Sequence, residues 1–155
     1  MHLAIYDRRP DVQAICRAQP EIATALGSTS VPIVPLHGQG AFCGAEVAVF
    51  QEAQLVRDPE RAERLAEALG QESALILRGN GAVTVGTDIG RATARMWVLE
   101  MSARMNAAAY AAGDVRPLDQ ADQQAWLATE AELLHRLWLH LSRTHAPAFH
   151  DKETR

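Results

Sequence analysis

Apolar positions fall into short runs in the first half of the chain and into long three-four repeats in the second. The clearest stretch covers residues 74–105, ALILRGNGAVTVGTDIGRATARMWVLEMSARM. Residues 74–77 are a continuous apolar run, residues 82–85 include β-branched Val83, Thr84 and Val85, and Asn80-Gly81 stands between them. Asn and Gly tolerate the positive φ of a two-residue hairpin turn, so the pattern predicts a strand, a turn and an antiparallel return strand. Gly86 ends the second strand, and Thr87 or Asp88 offers an oxygen to the unpaired N–H groups of a following helix. In that helix Ile89, Ala92, Met96, Leu99 and Ala103 recur at three-four spacing and define one apolar face.

The same reading extends to both ends. Residues 2–7 look like the end of a helix stopped by the Arg8-Arg9-Pro10-Asp11 turn, because Pro10 pushes its predecessor out of helical φ/ψ. Residues 12–16 are a short strand candidate, residues 21–26 a short helix ending at Gly27, and residues 28–42 a loop rich in Pro and Gly. Residues 46–50 read as a strand. Asp58-Pro59 opens a helix through Leu69, with Pro where its missing N–H costs nothing and Gly70 closing the end. Gly113 breaks the long helix, and one last helix is expected over residues 118–141. Its buried stripe would be Leu127, Ala131, Leu134, Trp138 and Leu141, widened by Trp126, Leu133 and Leu137. Strands alternating with helices, then two long helices, predict a three-layer α/β/α domain with a mixed sheet.

Composition narrows the class. A chain of 155 residues suits one domain and buries roughly 70% of its unfolded surface. A hydrophobic fraction of 48% and a charged fraction of 22% are those of an ordinary globular protein. A net charge of −4 with no basic block argues against nucleic acid as a partner. No run approaches the roughly 18 apolar residues of a membrane span, so no membrane partner is expected. The first ten residues lack the apolar core of a signal peptide. Cys16 and Cys43 make no disulfide framework. A cytoplasmic location with free thiols is the expectation.

Three segments together resemble the class II aldolase/adducin family. They are HLAIYDRRPDVQAICRAQP near the start, the 74–105 stretch, and the more weakly similar AWLATEAELLHRLW near the end. The last is similar to members acting as decarboxylases or oxygenases on small aromatic or heterocyclic acids. The resemblance implies a layered α/β/α fold assembled into tetramers. It also implies metal-assisted carbon–carbon cleavage, epimerisation or decarboxylation, with zinc or a related divalent ion stabilising an enolate. In the family three imidazoles hold that ion, two from a His-x-His on a strand and one from the hairpin turn. Residues i and i+2 of a strand point the same way, so both imidazoles would aim at one ion.

Here those positions match Arg17, Gln19 and Asn80. A guanidinium stays protonated and cannot coordinate a cation, and amide oxygens are poor zinc ligands. The resemblance also implies an acid/base Glu and substrate-binding loops N-terminal to His2, which this sequence does not contain. The expectation is an incomplete single domain over residues 1–155 with its N-terminal part missing, no cofactor, and no assigned catalytic residue. Arg17 is a candidate anion site, its fixed cation gripping a small carboxylate where the family keeps metal. Other metal sites are weak. His135, His140, His145 and His150 advance about 140° per step on a helix and share no face. The alternative metal set is Cys16, His37 and Cys43, against which stand the usual role of Cys as a small buried hydrophobe and the place of His37 in a Gly/Pro loop. Glu100 and Arg104 read as a surface i,i+4 pair.

Three functions compete on these residues. One is a structural or regulatory subunit of a homo- or hetero-oligomer with a family paralogue, lacking independent metal catalysis. Another is a lyase acting on a small hydroxy or aromatic carboxylic acid through an altered or partner-shared site. The third is a truncated gene product, in which Met1 is an internal methionine of a longer frame.

Overall fold

The structure, a computed structural model, describes residues 1–145 and, at His145, the backbone alone. Its elements in chain order are α1 (His2–Arg8), β1 (Ala14–Ala18), α2 (Glu21–Leu26), β2 (Ala48–Phe50), α3 (Pro59–Leu69), β3 (Ala74–Leu77), β4 (Ala82–Gly86), α4 (Ile89–Ala112), α5 (Gln120–Leu127) and α6 (Glu130–His145). A short 3-10 turn, Gly38–Cys43, lies in the long connection between α2 and β2. The sheet order is β1-β4-β3-β2, antiparallel except for the parallel β2–β3 pair. The sheet is mixed, as expected, and the chain folds as α/β.

Alternation along the central strands makes the layers. Leu75, Leu77, Val83 and Val85 point to one face and pack with Ile5 of α1 and Leu65 and Leu69 of α3. Ala74, Ile76 and Ala82 point to the other and pack with Ala94, Val98, Leu99 and Ala103 of α4 and Leu134 of α6. The second face carries small side chains, so the long helix comes close enough for the Thr84 hydroxyl to donate to the Ala92 carbonyl at 2.7 Å. Each fully buried Leu or Val contributes about 2 kcal/mol by leaving water. Capping fixes the helix starts: Asp58 accepts from Arg61 N and Asp88 from Arg91 N, both at 2.8 Å. Of the two cap candidates for α4, Asp88 serves and Thr87 instead accepts from the Arg91 guanidinium. Among the described residues no helix is long and apolar enough to cross a membrane.

Several expectations need correction. The first strand covers Ala14–Ala18 rather than residues 12–16, because the Pro10 turn extends until Val12 N donates to the Arg9 carbonyl. Arg17 therefore lies inside a strand. The loop expected over residues 28–42 contains the 3-10 turn, held where Gly40 N reaches the His37 carbonyl. The single helix expected over residues 118–141 is two. Both the Thr129 amide and its hydroxyl donate to the Trp126 carbonyl, at 2.9 and 2.7 Å, which turns the chain at Ala128. Leu127, Trp126 and Ala131 are consequently exposed, and the buried stripe of α6 is Leu134 flanked by Leu133, Leu137 and Trp138. Ile89, at the first position of α4, is 58% exposed, whereas Ala92 in the same turn is buried and bonded to the sheet through Thr84.

The hairpin turn also differs. Four residues, 78–81, join β3 to β4, and Gly79 and Gly81 carry the positive φ while Asn80 does not. Gly81 is the demanding position. At φ +84°, a Cβ there would stand 2.1 Å from the Ala18 carbonyl oxygen at the end of β1. Gly79, at φ +66°, has open space around it, with Ala53 Cβ 4.0 Å away. Gly81→Ala is expected to cost about 2 kcal/mol or more and Gly79→Ala about 1 kcal/mol. Urea unfolding of the two variants checks the order; equal midpoints would refute the packing of Gly81 against β1.

Candidate functional site

Gly81 sets the site because it lets the turn press onto the end of β1. In the register Arg17 faces Val83 and Ala18 faces Ala82, so the β1 terminus and the turn lie side by side. Arg17 Nη2 donates to the Asn80 carbonyl at 3.0 Å and to its Oδ1 at 2.7 Å. Arg17 is exposed, and its Nε and Nη1 make no hydrogen bond among the described residues. Gln19 lies past the strand end, exposed, with no hydrogen bond to either residue. The structure thus joins Arg17 to Asn80 and leaves Gln19 outside the contact.

These residues do not fit a divalent metal. The guanidinium repels a cation, and the one carboxamide oxygen that Asn80 could offer already accepts from that guanidinium. Among the described residues no group of three His, Cys, Asp or Glu side chains could hold a metal ion either. Cys16, His37 and Cys43 go to separate partners. The Cys43 thiol, pushed up to about 12 by burial, points at the Arg95 carbonyl 3.8 Å away. Cys16, whose pKa burial also raises, neighbours Thr84 and Thr93. His37 Nε2 is 3.0 Å from Ser102 Oγ. His135 and His140 are exposed on α6, while His150 and the His145 side chain lie outside the described residues.

Next to the Arg17 strand lies an apolar groove of about 590 Å³ between β1, α4 and α6. Cys16, Met96, Trp97, Trp138 and Leu141 line it, and Gln19 borders it. Glu100, also on its wall, corrects the reading of a surface pair. Its carboxylate accepts from Ile22 N at 3.1 Å and Ala23 N at 3.1 Å and pairs with Arg104 at 2.9 Å. It thereby satisfies the start of α2, whose cap position is Pro20 and offers no side-chain oxygen. The groove has the size of a small-molecule site, but its carboxylate is committed to the fold.

Three polar residues of α4 escaped pattern reading. Arg95, Ser102 and Asn106 are buried in line with Leu99, at a spacing of 4, 3 and 4 residues that the sequence does print. Asn106 accepts from Val34 N and donates to the Val34 and Ser102 carbonyls, and Ser102 meets His37, so this line ties the Pro/Gly connection to α4. Burial lowers the His37 pKa, so the folded state resists a proton that the unfolded chain accepts. Stability from neutral His37 is complete above the ordinary value of about 6.5 and declines as pH falls through the lowered value. His37→Asn is expected to flatten the pH dependence of the unfolding midpoint between about pH 7 and pH 5.5. An unchanged slope would assign that dependence elsewhere.

Comparison with known proteins places this geometry. The profile of a family described as Class II Aldolase and Adducin N-terminal domain matches residues 1–107. The chain is 25% identical over 128 residues to 3,4-dihydroxyphthalate decarboxylase of Rhodococcus jostii (strain RHA1), covering 79% of this chain and 53% of that protein. It spans about half the length of the curated relatives it matches. Its fold is similar to an aldolase II superfamily protein from Pseudomonas syringae, with a TM-score of 0.74 at 24% identity over 93% of this chain and 62% of that one. It is also similar to L-fuculose-1-phosphate aldolase from Thermus thermophilus, with a TM-score of 0.64 at 29% identity, covering 76% of this chain and 63% of that one.

Proposed function

Because the chain belongs to the class II aldolase and adducin family, we propose that it is a member without metal-dependent carbon–carbon chemistry of its own. In this reading it serves as a structural or regulatory subunit of an oligomer, with copies of itself or with a family relative. The observation that carries the reading is the Arg17–Asn80 contact. At two of the three positions that resemble the family's metal ligands, a permanent cation is hydrogen-bonded to the only side-chain oxygen available. Support for association comes from the open edge of β1 and from exposed Trp97 and Met105 on α4.

The site retains a capacity for anions. With Nη2 held by Asn80, the Nε–H and Nη1–H groups of Arg17, which have no acceptor among the described residues, can each donate to a small carboxylate as a single charge-assisted contact. The names of the relatives favour a second reading, a lyase on a small aromatic acid that works through an altered or partner-shared site. One experiment separates them. Purified chain is incubated with 3,4-dihydroxyphthalate, with and without zinc or manganese, and carbon dioxide release is followed alongside equilibrium binding. The first reading expects no turnover by the chain alone and carboxylate binding that Arg17→Ala weakens. Saturable turnover by the chain alone would replace it with the second, and equal binding by Arg17→Ala would remove the anion role.

A further inference from the structure

The ladder of the sheet fixes which way each residue of β1 turns its polar backbone groups. Val85 N donates to the Ser73 carbonyl and Leu77 N to the Gly81 carbonyl, so Gly81, Val83 and Val85 bond towards β3. The alternate residues Ala82, Thr84 and Gly86 therefore face β1 and bond to Ala18, Cys16 and Ala14. The N–H and C=O groups of Ile15 and Arg17 point the other way, off the edge of the sheet, and have no partner among the described residues. Such an edge is a template for another strand unless proline or charge shields it. β1 has no proline, and its one charge, Arg17, bends back to Asn80 on the hairpin.

A second copy of the chain fits this edge in one register. A two-fold axis normal to the sheet sets two β1 strands antiparallel, and axes through its three middle residues differ. An axis at Arg17 puts two guanidiniums directly opposite each other, which is destabilising. An axis at Ile15 requires the Gln13 N–H to reach Arg17 of the other copy, but that N–H is already given to the Gly86 carbonyl of its own chain. An axis at Cys16 puts Ile15 of each copy opposite Arg17 of the other, and every outward N–H and C=O of the two residues then finds a partner. Apolar surface continues from the same edge. Cys16 and Ala18 lie on the α4 face of the sheet and line the groove with Trp97, Trp138 and Leu141. A lone extended peptide covers the edge only, whereas a second copy brings its own groove to the axis, because that groove also begins at Cys16.

We propose that two copies of this chain pair through β1, antiparallel about a two-fold axis at Cys16, so that their two sheets become one. The contact is isologous, the same patch serving on both sides, with main-chain bonds along the edge and apolar side chains beside it. The proposal rests on the reading of the chain as a subunit of an oligomer and names its partner and its contact. It places the two Cys16 residues as a non-hydrogen-bonded pair with Cα atoms about 4.5 Å apart, a separation that a disulfide can span.

The test combines sedimentation equilibrium of the full chain, up to about 100 μM, with oxidation by diamide. Two thiols give one disulfide, and their two electrons and two protons pass to the diamide, which becomes a hydrazine. A dimer is expected, cross-linked by diamide in wild type and in Cys43→Ser, whose own thiol is buried, but not in Cys16→Ser. Ile15→Glu sets a carboxylate opposite Arg17 of the other copy, and Ile15→Lys sets a like charge there. Both lose the same half-buried side chain, so a dissociation constant about tenfold lower for Glu than for Lys reports the register and not the fold. A dimer with no Cys16 cross-link and equal constants for the two variants would overturn the β1 contact and leave the oligomer reading standing. A monomer throughout that range would overturn the proposal together with the self-association it rests on. Saturable turnover by the Cys16-linked dimer would support the pairing and overturn the reading of the chain as a subunit without carbon–carbon chemistry.

Discussion

The triple variant Arg17→His, Gln19→His, Asn80→His is expected to hold close to one zinc ion per chain after dialysis. The expected gain in affinity over wild type is at least about a thousandfold. The geometric ground is already in the wild-type fold. β1 ends against the hairpin turn, and the side chains at 17 and 80 touch across that junction. Imidazoles on the same two backbones would replace a cation and a committed amide by two neutral ring nitrogens, with the third supplied two residues along. Position 19 is the demanding one, because it lies past the strand end. A folded triple variant that retains no zinc would show that these positions do not converge as the family resemblance implies.

The largest stability effect is expected at the Arg95–Glu130 pair, which bonds α4 to the start of α6 at 2.7 Å. Glu130→Leu strands a guanidinium whose side chain is 7% exposed and should cost about 3 kcal/mol. The quarter exposure of Glu130 keeps the figure at the low end of the range for buried pairs. Replacing both residues with Leu removes the stranded charge and should return most of that loss, because burying two ions costs nearly as much as their attraction gives back. Urea unfolding of the two single variants and the double variant measures the coupling. A double variant as unstable as the sum of the singles would refute it.

Much of the fold was legible because local chemistry and global packing agree. Asp58, Gly70 and Asp88 punctuate α3 and α4 where their caps act, and the alternation in β3 and β4 assigns each residue to a layer. What could not be read depends on partners distant in sequence. Glu100 looks like half of a helix-surface pair until α2, 78 residues earlier, places its first N–H groups on the carboxylate. Arg95 looks like a misplaced charge on an apolar stripe until Glu130 meets it. Thr129 breaks the last helix through a single carbonyl, a competition that apolar periodicity does not register. In the turn, Asn-Gly chemistry pointed to Asn80 for the left-handed conformation, but two glycines were available and took it.

The candidate site divides the same way. That residues 17 and 80 belong together came from family resemblance; nothing in residue types or spacing foretold a hydrogen bond between them. The bond follows from register, because β1 pairs antiparallel with β4 and so ends beside the turn that feeds it. The scaffold that brings the two positions together is retained, while the side chains suit an anion better than a cation.

The most direct test is the metal content of the purified wild-type chain, measured by inductively coupled plasma mass spectrometry after incubation with zinc, manganese or iron and exhaustive dialysis. The expected result is far less than one ion per chain for each metal, unchanged by Arg17→Ala. One tightly held ion per chain would contradict the reading of Arg17, Gln19 and Asn80 as a site that does not hold metal.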